Sequence, residues 1–487
     1  MDKIFQFSKE DKNFFSLVSN AIRANPFSEE RNIINSKIAS LPSTTPYLKL
    51  ITKVMEIVNH KINLLEKQGK ANINNYANND KNIMNSVFLF EFFHNFIEDF
   101  DKLIIDQINA GDISIKVPFA EKAFNYLNKR GIFGNDADYY FALCFQIRKA
   151  YYFIVNYLIG TSNCMKELRK RLWNNIFTSD IDLYNKYLLN KMEDFSTLIL
   201  GETGTGKGAA AFAIGRSGFI PYDSKSQSFK ESFNKSFISI NLSQYPENLI
   251  ESELFGHKKG AFTGATENYT GILKLCSRYG AIFLDEIGEV SIPIQIKLLK
   301  VFQERIFNPV GSHEKIKFEG RIIAATNKDI ISIRNQKKIR DDFFYRLCSD
   351  IIEVPPLRQR IKEDIKELYD LINYSIKNII GNESEELTIL VKDVILNKLG
   401  ADYNWPGNVR ELEQCIRSIL LKRDYKVILN EKNQEPDFID KIKEGTINIE
   451  ELIKGYCKSL YNKYNSYQDV SNITGLDWRT VKKYIVN

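Results

Sequence analysis

The chain has 487 residues, 44% of them hydrophobic and 26% charged, a length that favours about three domains over one ordinary core. No stretch approaches the roughly 18 consecutive apolar residues of a membrane span, and the composition excludes collagen and wholesale disorder. The net charge of +6, from 67 basic and 61 acidic residues, permits nucleic-acid binding without arguing for it. The opening MDKIFQFSKEDKNFF lacks the basic, apolar and small-residue succession of a secretory signal, so a cytoplasmic chain with no membrane attachment is expected. Cys144, Cys164, Cys276, Cys348, Cys415 and Cys457 lie far apart without a C-x-x-C pair and read as reduced packing thiols.

In chain order, residues 1–157 carry helical periods rich in Phe and Tyr and read as an all-α domain. The clearest predicted helix is SVFLFEFFHNFIEDFDKLI, where Leu89, Phe93, Phe96, Phe100 and Leu103 share one face at three- and four-residue steps. Glu91 and His94 form an E-x-x-H on it, but a di-iron bundle needs a second copy and none is found, so they read as one charged and one packed side chain. The Asn-rich stretch from about Lys67 to Asn82 is a predicted loop. From 158 to 355 the short apolar runs STLIL, FISINL, AIFLD, RIIAATN and DIIEV alternate with amphipathic segments, the pattern of an α/β domain with about five parallel strands. Helical periods return over 356–423, a polar linker follows at 424–445, and a short helical module spans 446–487.

TLILGETGTGKGAAAFAIG puts an apolar strand before, and an alanine-rich helix after, Gly201, Glu202, Thr203, Gly204, Thr205, Gly206, Lys207 and Gly208. That is the setting of a phosphate loop. Its glycines aim backbone N–H groups at phosphate oxygens, the helix N-terminus adds a positive dipole, and Lys207 reaches the β- and γ-phosphates of ATP. Gly208 stands where Ser or Thr commonly offers magnesium a hydroxyl. A second strand, in GAIFLDEIGE, ends in Asp285, suited to hold Mg2+ directly or through water, and Glu286, suited to polarise the attacking water. A third, RIIAATN, ends in Asn327, whose amide can hold the γ-phosphate or the water; taken alone it reads as a strand-ending turn residue. Arg340, Arg346 and Arg410 have the charge to neutralise a phosphoryl-transfer transition state, though each in isolation reads as a surface arginine.

With these residues in place, ESELFGHKKGAFTGA, Glu251 to Ala265, makes the region from about Leu158 to Lys422 resemble the central domain of sigma-54-dependent transcriptional activators, bacterial members of the AAA+ ATPases. The resemblance implies a Walker A loop ending in Lys207, a Walker B pair at Asp285 and Glu286, a first sensor at Asn327, arginine fingers at Arg340 and Arg346, and a second sensor at Arg410 in a helical lid. It implies that Asn241 is a switch residue pairing with the catalytic glutamate, and that Gly260, Ala261, Phe262, Thr263, Gly264 and Ala265 form the loop that grips sigma-54, with Phe262 and Thr263 in contact. Gly208 departs from the glutamate usual in that family, and extra residues occur around Asp180 to Asn190 and Gly218 to Asn234.

At the end of the chain, Ser471, Gly475 and Val481, with Val470, Ile473, Leu476 and Ile485 as apolar supports, have helix-turn-helix spacing. A second helix from about Asp477 would offer Trp478, Arg479, Thr480, Lys482 and Lys483 to double-stranded DNA. The position resembles the Fis-like end of these activators. The expected whole is a cytoplasmic activator that binds upstream DNA, forms a ring, a hexamer by family expectation, and uses ATP with Mg2+ to remodel sigma-54 RNA polymerase. A repressor whose nucleotide site only controls assembly and an ATP-driven remodeller of another protein are the alternatives. The intact ATPase residues argue against the first and the GAFTGA segment against the second. No receiver-like pattern of acidic strand ends occurs in 1–157, so the sequence names no signal.

Overall fold

The protein is described from a computed structural model over residues 5–400, 402–425, 442, 445 and 447–486. Two units result, divided between Asp424 and Tyr425; most of the predicted linker at 424–445 lies outside the described residues.

The first unit opens with helices α1 (Lys9–Arg23), α2 (Glu29–Ala39), α3 (Tyr47–Lys67), α4 (Asn78–Asn95), α5 (Ile97–Ala110), α6 (Ala120–Lys129), α7 (Gly134–Tyr157) and α8 (Asn163–Phe177). Local chemistry sets the starts of α1 and α2: Ser8 and Ser28 accept from the amides of Asp11 and Arg31, and acidic residues fill each first turn. Leu50, Val54, Val58 and Ile62 of α3 recur every four residues and are all buried, a core-facing stripe. The single helix predicted across Ser86 to Ile104 is two, because Phe96 leaves helical geometry at φ −111° and ψ 12°. The break lets Leu89, Phe96, Phe100 and Leu103 stay in the core while Phe93 turns partly out of it. The predicted Asn-rich loop also ends early, since α4 begins at Asn78.

The five apolar runs form one parallel sheet. In chain order the strands are β1 (Thr197–Leu200), β2 (Tyr222–Asp223), β3 (Ser228–Phe229), β4 (Phe237–Asn241), β5 (Ala281–Asp285), β6 (Ile306–Phe307), β7 (Ile316–Lys317), β8 (Arg321–Thr326) and β9 (Asp350–Glu353). The sheet runs β4-β5-β8-β1-β9, while β2-β3 and β6-β7 are separate two-stranded antiparallel pairs. Both neighbours of β1 are parallel to it, with Leu198 opposite Ala324 on one side and Ile351 on the other. All strands therefore end on one edge, where parallel α/β sheets carry their ligands.

The helical region and the sheet share one core, so the expected boundary at 157/158 is not a break in packing. Residues 218–234 explain why. They form the β2-β3 hairpin, whose Phe229 stacks on Phe145 of α7 at 4.3 Å between ring centres, while Phe233 packs edge-on to Phe153 at 5.5 Å. Polar ties accompany the rings: the Val117 amide donates to the Gln227 carbonyl at 2.9 Å, and the Asn234 side chain donates to the Gln107 carbonyl at 2.7 Å. On α7, Gln146 and Lys149 donate to the carbonyls of Ser217 and Gly218 at 3.0 Å. Burial with no acidic partner among the described residues pushes Lys149 down to about 7.

A second junction ties the segment after α7 to the helices beyond β9. Arg360 and Glu367 are almost fully buried and paired at 2.7 Å. Arg360 also donates to the Ile159 carbonyl at 2.5 Å, and Glu367 accepts from the Ser162 amide at 2.6 Å. Gly160, at φ +133°, leaves the space the carboxylate occupies; an added Cβ there would lie 2.2 Å from Glu367 Oε2.

In the second unit, helices Ile449–Tyr464, Tyr467–Thr474 and Trp478–Val486 close around Cys457, Val470 and Val481. Asn448 and Glu451 form a reciprocal cap on the first helix. Gly475 turns between the other two at φ +72°, and Ser471 donates to the Leu476 carbonyl at 2.6 Å.

Breaking the Arg360–Glu367 pair from one side leaves a buried charge alone, so Arg360→Met is expected to cost about 3–5 kcal/mol in chemical denaturation, with Arg360→Met/Glu367→Leu recovering most of it. Burial raises the Glu367 pKa, but Arg360 and the Ser162 bonds outweigh it and hold the carboxyl below its usual range. A depressed carboxylate stabilises the fold above its unfolded pKa of about 4.3, and that contribution fades as pH falls through the folded value. The wild type should therefore lose stability on acidification more steeply than the double variant.

Candidate active site

The glycine loop leaves β1 and enters helix Lys207–Gly215, with Gly201, Gly204 and Gly206 at φ +155°, +80° and +105°. An added Cβ at Gly204 would lie 2.3 Å from the Gly407 carbonyl, so this glycine is required by contact as well as by φ. Lys207 is 7% exposed, and its ammonium donates to the carbonyls of Gly201 and Glu202 at 2.9 and 3.1 Å. Burial lowers its pKa, with Glu286 and Asp285 opposing that shift and Arg410 adding to it. Those three groups thus lie within electrostatic reach of the loop lysine.

Sheet order brings the carboxylates to it. Because β8 lies between β5 and β1, the end of β8 sits between the acidic pair and the loop. Asn327 bridges them: its amide N–H donates to Glu286 Oε2 at 3.3 Å and its side chain to Thr203 Oγ1 at 2.8 Å. Glu286 has φ +57° and ψ +48°, a left-handed conformation costly for glutamate, and its N–H donates to Asp285 Oδ1 at 3.1 Å. The resemblance led to Asn241 pairing with Glu286; instead its amide faces Asp285 Oδ2 at 3.4 Å, while its own oxygen accepts from the Ser243 amide and hydroxyl. The β4–β5 register explains the difference, since Asn241 is directly opposite Asp285.

The lid grips the loop through residues that sequence reasoning missed. Asn408 is fully buried at φ +53°; it donates to Glu202 Oε2 and the Thr203 carbonyl, both at 3.1 Å, and accepts from the Leu357 amide at 2.8 Å. The Val409 amide donates to the Gly204 carbonyl at 3.0 Å. Arg358 pairs with Glu202 through both guanidinium nitrogens, at 2.7 and 2.5 Å, and holds that carboxyl below its ordinary range. The signal for Asn408 lay in WPGNVRELE, beside Arg410, but an asparagine after glycine reads as an ordinary turn residue.

Arg340 and Arg346 behave differently from Arg410. Arg340 forks onto Asp342 at 3.0 and 2.7 Å, Arg346 is exposed, and neither bonds to the phosphate loop of its own chain. The 260–265 segment is a closed turn: the Gly260 amide donates to the Ala265 carbonyl at 2.8 Å and the Ala265 amide to the Phe262 carbonyl at 3.0 Å. Gly260 and Gly264 take φ +79° and +100°. Phe262 is 40% exposed, Thr263 is exposed, and His257 meets the Phe262 ring edge-on at 5.0 Å while Ser252 bonds its Nδ1 at 2.6 Å. In the second unit Trp478, Arg479, Lys482 and Lys483 are exposed and Thr480 is half-buried. No helix among the described residues is long and apolar enough to cross a membrane.

A parallel sheet with a glycine loop and a carboxylate pair on one edge, capped by a helical lid, is the arrangement of a P-loop nucleotide-binding domain. The family model for the Sigma-54 interaction domain matches residues 180–353, and that for the AAA+ ATPase lid domain matches 358–437. This region of the chain therefore belongs to the sigma-54 activator family of AAA+ ATPase domains. It is 40% identical over 230 residues to the Nif-specific regulatory protein of Azotobacter vinelandii, covering 47% of this chain and 40% of that one. It is 37% identical over 262 residues to the regulatory protein AtoC of Escherichia coli, covering 53% of each. With the DNA-binding transcriptional regulator NtrC of Azospirillum brasilense it shares 38% over 274 residues, covering 56% of this chain and 49% of that one. The chain spans about half the length, or less, of these relatives.

Asn408→Ala would leave the Thr203 carbonyl and the Leu357 amide without their Asn408 partner in a buried joint and remove one of the bonds to Glu202, which keeps Arg358. Chemical denaturation should show a loss of about 1–3 kcal/mol with unchanged far-ultraviolet circular dichroism before the transition.

Proposed function

We propose that the chain is a transcription activator that hydrolyses ATP in a homo-oligomeric ring, a hexamer by family expectation, and couples each turnover to opening of sigma-54 RNA polymerase at a promoter. One observation carries the proposal: Lys207, Asp285, Glu286 and Asn327 converge on one sheet edge in a chain that also exposes Phe262 and Thr263 on a glycine-bounded turn.

In this reading Gly201 to Gly208 cradle the phosphates of ATP and Lys207 reaches the β- and γ-oxygens. The donor set fits Mg2+, which takes one or two carboxylates and completes its shell with phosphate oxygens and water. Asp285 presents the carboxylate beside the loop, and Gly208 offers no hydroxyl. Bound there, Mg2+ would neutralise charge on the phosphates. Glu286 polarises the attacking water, and the Asn327 bond to Glu286 sets the carboxylate's direction relative to the loop. Arg410, carried by the lid helix Asn408–Lys422, adds positive charge from above. Arg340 and Arg346 do not bond their own loop, and their exposure supports a role on the nucleotide of a neighbouring subunit. Asn241 would feel nucleotide state through Asp285, and β4 connects it through helix Glu247–Phe255 to the exposed turn.

The second unit supports a DNA-binding role. Its Gly475 turn and the exposed Trp478, Arg479, Lys482 and Lys483 on the last helix have the layout of a helix-turn-helix recognition helix, with Thr480 closer to the core. Paired copies would read a two-fold symmetric site upstream of the promoter.

Glu286→Gln should bind ATP as the wild type does and lose turnover by about 100-fold or more, measured by nucleotide binding and phosphate release. Thr263→Ala should keep ATPase activity and lose open-complex formation on a sigma-54 promoter; normal promoter opening by this variant would remove the 260–265 turn from the mechanism.

A further inference from the structure

A cavity of about 480 Å³ lies among α1, α2, α3, α4, α5, α7 and α8, within the size range of small-molecule sites. Most of its wall is apolar, with Met55, Ile97, Ile147 and Trp173 among the contributors. Tyr47 and Leu48 line it and are exposed, so the cavity opens to solvent. One group does not belong in such a wall. Arg31 is 8% exposed, its Nη1 donates to the Ala21 carbonyl, its Nε has no partner, and no carboxylate pairs with it among the described residues.

The remaining polar groups cannot answer that charge. Among the described residues, no aspartate or glutamate lines the cavity. Arg148 lines it too, but is already paired with Asp101 at 2.6 Å. His94 bonds the Phe90 carbonyl at 2.8 Å, and burial pushes its pKa down to about 3, so it is neutral. The cavity therefore holds one uncompensated positive charge in an apolar surround, an arrangement that disfavours the empty state and favours an anion with an apolar body.

We propose that this cavity is a binding site for a small organic monocarboxylate, aromatic or aliphatic, with its carboxylate on Arg31 and its apolar body against Met55, Ile147 and Trp173. The wall is placed to report occupancy. Helix α7 faces the cavity with Cys144, Ile147, Arg148 and Tyr151, and its other face carries Phe153, which packs edge-on to Phe212 of the phosphate-loop helix at 5.3 Å. A ligand in the cavity is thus one helix away from the nucleotide loop.

The test uses the full chain without nucleotide, so it stands or falls independently of the ATPase reading. Benzoate, phenylacetate and octanoate are each compared with their amides by calorimetry and thermal denaturation. At least one acid should raise Tm and bind at least tenfold more tightly than its amide. Arg31→Met should abolish that preference while leaving the ligand-free Tm unchanged or higher, because it removes an unpaired buried charge. Met55→Trp, which fills the cavity and keeps Arg31, should abolish binding of acid and amide alike. Should Arg31→Met fail to fold, the acid-to-amide ratio in the wild type and the Met55→Trp result still decide. Absence of binding by all three acids, equal binding of acids and amides, or wild-type acid affinity in Arg31→Met would overturn the proposal.

Discussion

The joint between the phosphate loop and the lid constrains everything around it. Gly204 donates no side chain, and its carbonyl takes the Val409 amide while the Gly407 carbonyl closes over its Cα. A loop that must keep its amides free for phosphate cannot be fastened by those amides. It is fastened instead through carbonyls and side chains, by Val409, Asn408 and the Arg358–Glu202 fork. Because lid and sheet meet at the loop itself, a shift of the lid is felt where the phosphates would lie, and Arg410 moves with it.

The same logic extends in the opposite direction. Helix Lys207–Gly215 begins at Lys207, and its outer face carries Phe212, against which Phe153 and Tyr157 of α7 pack. The β2-β3 hairpin covers the neighbouring face with Phe229 and Phe233. The N-terminal helices are thus joined to the nucleotide domain by an apolar core instead of a linker. Separating the two would expose a large apolar surface, so changes among those helices reach the sheet through packing, which is bistable and transmits strain. The Arg360–Glu367 pair supplies a second tie from the end of α7 to the lid side.

Much of the site was legible because its chemistry dictates local sequence. A loop that aims amides at phosphate needs glycines at fixed positions before a helix, and an acidic pair at a strand end needs an apolar run before it; both left their trace at 201–208 and 281–286. All five strands were likewise readable, since buried parallel strands are continuous apolar runs. Asn408 and Arg358 were not legible, because their partners Thr203 and Glu202 are 205 and 156 positions away and nothing local marks the contact. The Phe96 break was hidden for a related reason: the apolar period continues across it, and only packing decides that the stripe must bend.

By itself, then, the sequence determined the glycine loop, the carboxylate pair, the five strands and the helical turns of the C-terminal module, each set by short-range periodicity, backbone freedom or burial. Only the tertiary structure decided that Asn241 faces Asp285, that residues 218–234 weld the helical region to the sheet, and that Arg31 lies in an apolar cavity with no carboxylate partner among the described residues. The physical reason is that strand register, shared cores and uncompensated charge are relations between residues far apart in the chain, and each is fixed by which surfaces can be buried together at once.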